Sequence, residues 1–281
     1  VIAVAGGISA DRQVTANGDT GQGGWWSGVV GVGAGIDLDR FQVISFDFLP
    51  NEDEQATTLS TADQARAMAH ALDVLGIRRL AAFVGASYGG MVALAFAEQH
   101  GDRLERLAVI SAADRPDPMA TAWRGIQRRI VAFALECGDP ERGLALAREL
   151  AMTTYRAPSE LDNRFAVKPE GDRAGDPFDI CSYLVARGEA FRDVMSPQRF
   201  ITLSDSLDRH AVDPAALRVP GLYVSANTDR LVAPATMKQL ARATAGDGQY
   251  IELDTPYGHD AFLKEERRVS DLLSDFLSDA R

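Results

Sequence analysis

Short apolar runs alternate with helical patterns through the first half of this chain, and this alternation constrains the fold more than any other feature. The apolar runs occupy residues 1–5, 42–48, 80–85 and 107–111, and the helical patterns occupy residues 61–75 and 89–100. Strands that are apolar along their whole length are buried on both faces, as in parallel sheets covered by helices on each side. The sequence therefore predicts an α/β protein with a mostly parallel sheet flanked by helices.

The strand pattern stops over residues 116–210 and then resumes. The intervening stretch contains helical segments at residues 123–137, 140–155, 179–191 and 197–207. Beyond it come strands at residues 221–225 and 250–253 and helices at residues 234–245 and 265–277. This order predicts one α/β core, residues 1–115 and 211–281, with a helical lid inserted at residues 116–210. A glycine-rich loop at residues 18–35 is expected to pack its Trp25–Trp26 pair against the body of the protein.

The pentapeptide Gly85-Ala86-Ser87-Tyr88-Gly89 lies between a strand pattern and a helical pattern. In that context GxSxG predicts a sharp strand-to-helix turn that holds the serine in a strained backbone conformation. The hydroxyl then projects above the sheet edge, near the positive end of the helix. We therefore predict that Ser87 is a nucleophile. The alternative is a glycine-rich turn that carries a solvated serine.

A serine hydroxyl needs a base to remove its proton, and the chain contains four histidines. His70 and His100 fall within predicted helices, and His210 ends the insertion. His259 follows a late strand, where the functional loops of parallel sheets gather. His259 is therefore the predicted base, with a surface histidine in a turn as the alternative.

The acid that orients this base is expected before the histidine, directly after the preceding strand. Asp229 occupies that position, whereas Asp254 follows a different strand and Asp260 adjoins the histidine itself. The order serine, aspartate, histidine is that of enzymes with the α/β-hydrolase fold. In such a triad the buried carboxylate holds the imidazole tautomer and stabilises the imidazolium.

An oxyanion hole requires two N–H donors, one directly after the nucleophile and one from a loop near the first strand. The amide of Tyr88 is the predicted first donor. Gly7, in the sequence GGI directly after the first strand, is the predicted second donor. The alternative for this glycine pair is a simple turn.

Composition argues against several other classes of function. The 29 basic and 40 acidic residues give a formal charge of −11 without a Lys/Arg run, so we expect no nucleic-acid partner. Cys137 and Cys181 are far apart and form no CxxC motif, so we expect neither a disulfide framework nor a metal site. No apolar stretch reaches the roughly 18 residues that span a bilayer, so we expect no membrane partner. Residues 1–5 lack the basic leader of a signal peptide, which favours a cytoplasmic location.

Residues 31–35 (GVGAG) are superficially similar to a dinucleotide-binding loop. Such a loop follows a strand and opens a helix, and here we predict no strand before it. We therefore expect no permanently bound cofactor.

Taken with the predicted triad, several segments resemble the homoserine O-acyltransferases, which make O-acetyl- or O-succinylhomoserine for methionine synthesis. The resemblance covers most of the chain. It rests on Trp25-Trp26 followed by Val30-Gly31, IDLDRF at residues 36–41, GGM at residues 89–91, GLALAR at residues 143–148, TYR at residues 154–156 and GHDAFL at residues 258–263.

The resemblance implies ping-pong transfer of an acyl group from acyl-CoA, the co-substrate, to the hydroxyl of L-homoserine. It also implies that Arg148 and Tyr155 bind the amino acid, that Asp260 pairs with its ammonium group, and that the insertion contributes to a homodimer. Arginine suits the first role because its guanidinium binds a carboxylate through two N–H groups. The alternatives are a solvated charge for Arg148 and core packing for Tyr155.

Two departures from the family pattern bear on the acyl donor. Residues 49–54 (LPNEDE) replace a Gly/Ser/Thr/Pro-rich segment of larger members, and Ala86 and Tyr88 stand where Asn and Met are common. The likeness to shorter, divergent members favours succinyl-CoA over acetyl-CoA. A succinyl group carries a distal carboxylate that needs a cation or N–H donors. The candidate cations, each of which is alternatively an ordinary solvated charge, are Arg12, Arg115, Arg124 and Arg128.

Two other classes of function compete with acyl transfer. A serine hydrolase acting on esters or lactones would use the same triad with water as acceptor. A binding module on the same fold would require the loss of a triad member, and all three members are present. We therefore rank acyl transfer first, hydrolysis second and a binding module third.

Overall fold

A computed structural model describes residues 1–16, 21, 23–50 and 58–280 of the chain. Its strands are β1 (Ile2–Ala5), β2 (Val30–Gly31), β3 (Ile36–Asp37), β4 (Val43–Ile44), β5 (Ala82–Ala86), β6 (Leu107–Ile110), β7 (Gly221–Ala226) and β8 (Gly248–Leu253). Six of them form one sheet in the order β4-β1-β5-β6-β7-β8, with each neighbouring pair parallel. The predicted parallel α/β architecture is therefore confirmed.

The described helices are α1 (Thr61–Val74), α2 (Tyr88–His100), α3 (Pro118–Glu136), α4 (Pro140–Tyr155), α5 (Pro158–Arg164), α6 (Asp179–Phe191), α7 (Pro197–Asp208), α8 (Pro234–Ala243), α9 (Ala261–Lys264) and α10 (Glu266–Leu277). None of them is both long and apolar enough to cross a bilayer. Between β6 and β7 the chain runs through α3 to α7 without adding a strand to either sheet. The action of this helical stretch as a lid stays a prediction.

The central sheet separates two apolar cores, because successive side chains of a strand point to opposite faces. Phe83 of β5 faces the core that contains α1 and α2, where it meets the Phe96 ring with centroids 5.7 Å apart. Its neighbour Val84 faces the second core, which contains Trp26 and Leu273 of α10. Strands β5 and β6 are thus buried on both faces, which accounts for their continuous apolar sequences.

The second predicted strand, residues 42–48, was too long. Only Val43 and Ile44 pair with the sheet, opposite Ile2 and Ala3 of β1. The apolar character of the remaining residues reflects packing of side chains, since Phe48 is buried and its ring lies 4.7 Å from that of Tyr88. Most of the segment at residues 49–54, which we compared with larger family members, lies outside the described residues.

The glycine-rich loop at residues 18–35 also differs in part from the prediction. Residues 18–20 and 22 lie outside the described residues, and β2 begins at Val30, so a strand does precede the glycine run. This two-residue strand pairs only with β3, in a separate sheet, because its partner Ile36 lies just beyond the turn. The tryptophan pair packs as predicted, with Trp26 buried and its indole N–H donating to the carbonyl of Phe262 at 2.8 Å.

Candidate active site

Ser87 lies at the junction of β5 and α2, at the carboxyl edge of the central sheet. Its φ of 54° and ψ of −122° are rarely adopted by residues other than glycine, so its backbone is strained. Its N–H donates to the carbonyl of Ile110 at 2.8 Å, which anchors the turn to β6. The side chain is half-buried and lines a pocket of about 320 Å³.

Gly85 and Gly89 make this turn possible because the neighbouring backbone passes very close to both. A Cβ added at Gly89 would lie 2.2 Å from the carbonyl oxygen of Ala5. A Cβ added at Gly85 would lie 2.3 Å from the carbonyl oxygen of Gly89 itself. Any larger residue at either position would separate α2 from the strands and displace Ser87.

The three predicted triad residues meet at this edge in one hydrogen-bonded chain. Ser87 Oγ lies 2.7 Å from His259 Nε2, and His259 Nδ1 lies 2.8 Å from Asp229 Oδ2. The nucleophile can therefore pass its proton to Nε2 while the Nδ1–H donates to the carboxylate, as general-base catalysis requires.

The loop after β7 fixes the carboxylate of Asp229. Its Oδ1 accepts the backbone N–H groups of Leu231 at 2.8 Å and Val232 at 3.0 Å, which leaves Oδ2 for the imidazole. The two competing acids are occupied elsewhere. Asp254 is exposed and accepts from Asn227, and Asp260 accepts from Arg156 Nε at 2.9 Å.

His259 lies in a short turn between β8 and α9 and is buried. Burial disfavours the imidazolium and lowers the pKa of His259, but the adjacent carboxylate of Asp229 and the charge of Asp260 raise it. The net effect is a pKa above the usual histidine value. Gly258 permits the turn, because its φ is +56° and an added Cβ would lie 2.5 Å from the carbonyl oxygen of Tyr155.

One predicted oxyanion donor adjoins Ser87 in the sequence, and the other lines the same pocket. Tyr88 is the first residue of α2, so its amide has no acceptor within the helix. Gly7 follows β1 and lines the same pocket as Ser87. The Tyr88 side chain has a separate structural contact, since its hydroxyl lies 2.7 Å from Ser206 Oγ of α7. Burial raises the pKa of this phenol to about 12.

The structure brings the three residues assigned to amino-acid binding to the same pocket. The ring of Tyr155 lies 5.9 Å from that of His259. The Arg148 guanidinium lies 5.2 Å from the Tyr155 ring centroid and 4.7 Å from that of Phe191, and it has no ion-pair partner among the described residues. One of the two carboxylate oxygens of Asp260, Oδ2, already accepts a hydrogen bond from Arg156.

The four candidate cations for an acyl carboxylate have different surroundings. Arg12 pairs with Asp47, its side chain is 74% exposed, and it does not line the pocket. Arg115 lines the pocket but is 57% exposed and pairs with Asp114 at 2.6 Å. Arg124 and Arg128 are largely buried and both bind Asp208, and only Arg124 lines the pocket.

Two features of the pocket were missed in the sequence. Arg156, in the TYR segment, had no predicted role, yet it binds the pocket residue Asp260, which is 104 residues away. Ser111 lines the pocket one residue beyond β6, with a φ of 51° and a buried hydroxyl that has no hydrogen-bond partner among the described residues. Its position directly after a strand was the available signal.

The other histidines lie away from this pocket. His70 and His100 are on α1 and α2 as predicted, and His210 is buried with Nδ1 2.7 Å from Thr61 Oγ1. No group of three or more His, Cys, Asp or Glu side chains in the described part of the chain is arranged to hold a metal ion.

Comparisons with known proteins agree with this geometry. The alpha/beta hydrolase fold family matches residues 16–266. A homoserine O-succinyltransferase of Xanthomonas campestris pv. campestris is 42% identical over 278 residues, covering 99% of this chain and 75% of the relative. A homoserine O-acetyltransferase of Thermus thermophilus is 33% identical over 287 residues, covering 92% of this chain and 73% of the relative.

Among solved structures, esterase E22 superimposes with a TM-score of 0.89 at 20% identity, covering 98% of this chain and 89% of the esterase. At that identity the likeness concerns the fold alone. The sequence relatives, by contrast, support acyl transfer by an enzyme with a hydrolase fold. Because these matches extend over nearly the whole sequence, the chain belongs to the homoserine O-acyltransferase family of α/β-hydrolase-fold enzymes.

Proposed function

We propose that this enzyme transfers an acyl group, succinyl in preference to acetyl, from acyl-CoA to the hydroxyl of L-homoserine, a step of methionine biosynthesis. The observation that carries the proposal is a Ser87–His259–Asp229 chain that opens on a pocket lined by Arg148, whose guanidinium forms no ion pair with a described residue. A hydrolase needs only the triad. A transferase also needs a site for a zwitterionic acceptor.

In the first half-reaction Ser87 Oγ attacks the thioester carbonyl carbon while His259 Nε2 takes its proton. The amides of Tyr88 and Gly7 stabilise the oxyanion. The carbon–sulfur bond then breaks, His259 returns the proton to the departing thiolate, and an acyl-serine ester remains. Asp229 accepts the Nδ1–H of the imidazolium throughout and remains ionised.

In the second half-reaction the homoserine hydroxyl takes the place of the departed thiol. His259 Nε2 accepts the hydroxyl proton as the oxygen attacks the ester carbon, and the proton then goes to the leaving Ser87 oxygen. This ping-pong order uses one base for both halves, because the departing thiol and then the attacking hydroxyl occupy the same position beside His259.

The acceptor site follows from the charges around the pocket. Arg148 binds the carboxylate of homoserine, with its guanidinium held between the rings of Tyr155 and Phe191. Asp260 binds the ammonium group through Oδ1, since Oδ2 already accepts from Arg156. Arg156 thereby fixes the carboxylate of Asp260 beside the base.

Residues 116–210 act as the lid in this proposal, because α3, α4 and α7 supply pocket residues that include Trp123, Arg148 and Leu207.

The same insertion forms the homodimer. Met119, Ile126 and Phe133 support this, since they recur every seven residues on α3 and are exposed. Sedimentation that shows only monomer at micromolar concentration would count against the dimer. We also propose a cytoplasmic location, with no bound cofactor beyond the acyl-CoA substrate.

The test is incubation with succinyl-CoA or acetyl-CoA, with and without L-homoserine, followed by mass spectrometry of the products. Acyl-homoserine is the expected product. If free acid forms at the same rate whether or not homoserine is present, the enzyme is a hydrolase and the transferase proposal is wrong.

Arg148→Gln tests the acceptor site separately. We expect it to raise the KM for homoserine while the first half-reaction, measured as acyl-Ser87 formation without homoserine, is unchanged. Arg142→Gln is the matched control, because Arg142 lies on the same helix and is exposed.

A further inference from the structure

Three charged side chains form a cluster where α3 meets α7 beside the pocket. Arg124 and Arg128 are one turn apart on α3, and both bind Asp208 at the end of α7. Arg124 Nη2 lies 2.6 Å from Asp208 Oδ1, and Arg128 Nη1 lies 2.6 Å from Oδ2. The three side chains are 12%, 21% and 9% exposed, respectively. Among the described residues, two largely buried cations therefore share one anion, which leaves one excess positive charge in this cluster.

The other described residues that bind this cluster contribute only neutral groups, so they do not neutralise that excess. Besides the guanidinium of Arg124, Asp208 Oδ1 accepts the hydroxyl of Thr121 at 2.7 Å. Arg128 Nη1 donates to the carbonyl and hydroxyl oxygens of Ser204, which are neutral groups. Because a buried charge without a counter-charge is costly, an anionic ligand at this position would be bound favourably.

Beyond its contacts with described residues, Arg124 has N–H groups that can bind such a ligand. It binds protein groups through Nε and Nη2, and its Nη1 has no partner among the described residues. Arg124 lines the pocket, and its charge is one of those that lower the pKa of His259. Its field therefore reaches the reacting centre.

The other cations considered are less suited to this role. Arg115 is 57% exposed and has its own carboxylate in Asp114, so its charge is screened and balanced. Arg148 lies against two aromatic rings and belongs to the proposed acceptor site. Arg12 pairs with Asp47 away from the pocket.

We propose that Arg124 binds the distal carboxylate of the succinyl group, and that Asp208 and Arg128 hold its guanidinium in position. The inference rests on the proposed acyl transfer and names the group that selects the donor. The distal carboxylate of a succinyl group is a second anion, so that Asp208 and this carboxylate together balance the charges of Arg124 and Arg128. An acetyl group brings no charge and leaves the excess unbalanced.

The experiment compares kcat/KM for succinyl-CoA and acetyl-CoA, with L-homoserine as acceptor, in the wild type, Arg124→Gln, Arg124→Lys and the control Arg129→Gln. Arg129 lies on the same helix but is exposed and has no ion pair with a described residue. We expect Arg124→Gln to lower the value for succinyl-CoA about 10- to 150-fold, the loss typical of a hydrogen bond to a charged group, while the value for acetyl-CoA changes little. Arg124→Lys should lie between, because it keeps the charge but loses the planar fork.

Acetyl-CoA activity reports whether each variant is folded. If Arg124→Gln is inactive with both donors, the succinyl to acetyl ratio of Arg124→Lys decides the question. A succinyl to acetyl ratio in the Arg124 variants equal to that of the wild type, or a wild type that prefers acetyl-CoA, overturns the inference, whereas acyl transfer itself would still stand.

If the wild type acylates homoserine from neither donor, the proposed function is wrong, and the cation site is tested on its own. Release of p-nitrophenol from p-nitrophenyl hemisuccinate and p-nitrophenyl butyrate reports acylation of Ser87 without CoA or homoserine. A preference for the hemisuccinate that Arg124→Gln abolishes supports the carboxylate site. An unchanged preference, or the absence of one in the wild type, refutes it.

Discussion

Asp229→Asn tests the orientation of the base most directly, because the two side chains have nearly the same shape. In the native site Oδ1 accepts two backbone N–H groups, from Leu231 and Val232, and Oδ2 accepts from His259 Nδ1. An asparagine side chain has only one oxygen, and we expect this oxygen to accept the two backbone N–H groups of Leu231 and Val232. Its NH₂ group then faces Nδ1 and donates to it.

That reversal changes the imidazole tautomer. With Nδ1 as an acceptor, the single ring proton of His259 resides on Nε2, which lies 2.7 Å from Ser87 Oγ. Nε2 then has no lone pair to take the serine proton. The same loss of tautomer in a serine triad lowers kcat by about 10⁴, and we expect a loss of about 10³ to 10⁴ here. That range corresponds to roughly 4 to 5.5 kcal/mol of activation free energy.

The assay is the rate of acyl-Ser87 formation across a range of pH. It is measured as stopped-flow release of p-nitrophenol from p-nitrophenyl butyrate. In the wild type the active form is neutral His259, so the rate rises with pH through the pKa of this residue, which is above the usual value. The variant lacks the carboxylate that raises this pKa, so burial lowers it and any residual activity persists to lower pH.

Asp254→Asn is the matched control, because Asp254 is the exposed acid that the sequence left as a competitor. We expect it to retain wild-type activity. A loss of less than tenfold in Asp229→Asn, or a larger loss in Asp254→Asn, would refute the assignment of the orienting acid.

Three further predictions use other parts of the molecule. Ser87→Ala should abolish acyl-enzyme formation, as judged by intact-protein mass spectrometry, and an adduct mapped to another side chain would overturn its assignment. Ser111→Gly should raise the free energy of unfolding in urea by about 1 kcal/mol, because it removes left-handed strain at φ 51° and a buried hydroxyl that has no hydrogen-bond partner among the described residues; a destabilised variant would contradict this. Burial lowers the pKa of His210 to about 4, so the wild type should lose about 3 kcal/mol of stability as the pH falls from about 6.5 to about 4, since only the unfolded state gains the proton there. His210→Gln should lose correspondingly less over that interval, and an equal loss would place the acid sensitivity elsewhere.

The sequence was most informative where a strand is buried on both faces and a helix follows at once. Strand β5 and helix α2 were predicted to within two residues at each end, because burial, the glycine pair and the helical pattern all agree there. Strand β4 was overpredicted, since apolar side chains such as Phe48 reach the core without backbone pairing. Helix α3 begins at Pro118, before its predicted start at Trp123, because Asp117 caps it through the amides of Met119 and Ala120.

The order of the triad along the chain could be predicted because Ser87 joins a strand to a helix and because Asp229 and His259 lie in loops that follow late strands. The charged contacts of the insertion could not. Arg124 and Asp208 are 84 residues apart, and Arg156 and Asp260 are 104 residues apart. Each pairing depends on how helices of the insertion pack against other elements, which no local pattern encodes. A charged residue on an amphipathic helix has the same sequence context whether it faces solvent or a pocket.

The core carries the triad and the insertion carries the proposed acceptor-binding residues, which explains how the same triad can serve hydrolysis or transfer. In the proposed function the core supplies Ser87, Asp229 and His259 from the turns that follow β5, β7 and β8, which is sufficient to form an acyl-enzyme but does not select what attacks it. Water is present at high concentration, so an amino-acid hydroxyl competes only if binding places it against the acyl carbon at a high effective molarity. The groups that could do so, Arg148 and Tyr155, come from α4, and the Tyr155 ring lies 5.9 Å from that of the catalytic histidine. Changes in the insertion should therefore shift the ratio of transfer to hydrolysis while acylation of Ser87 continues.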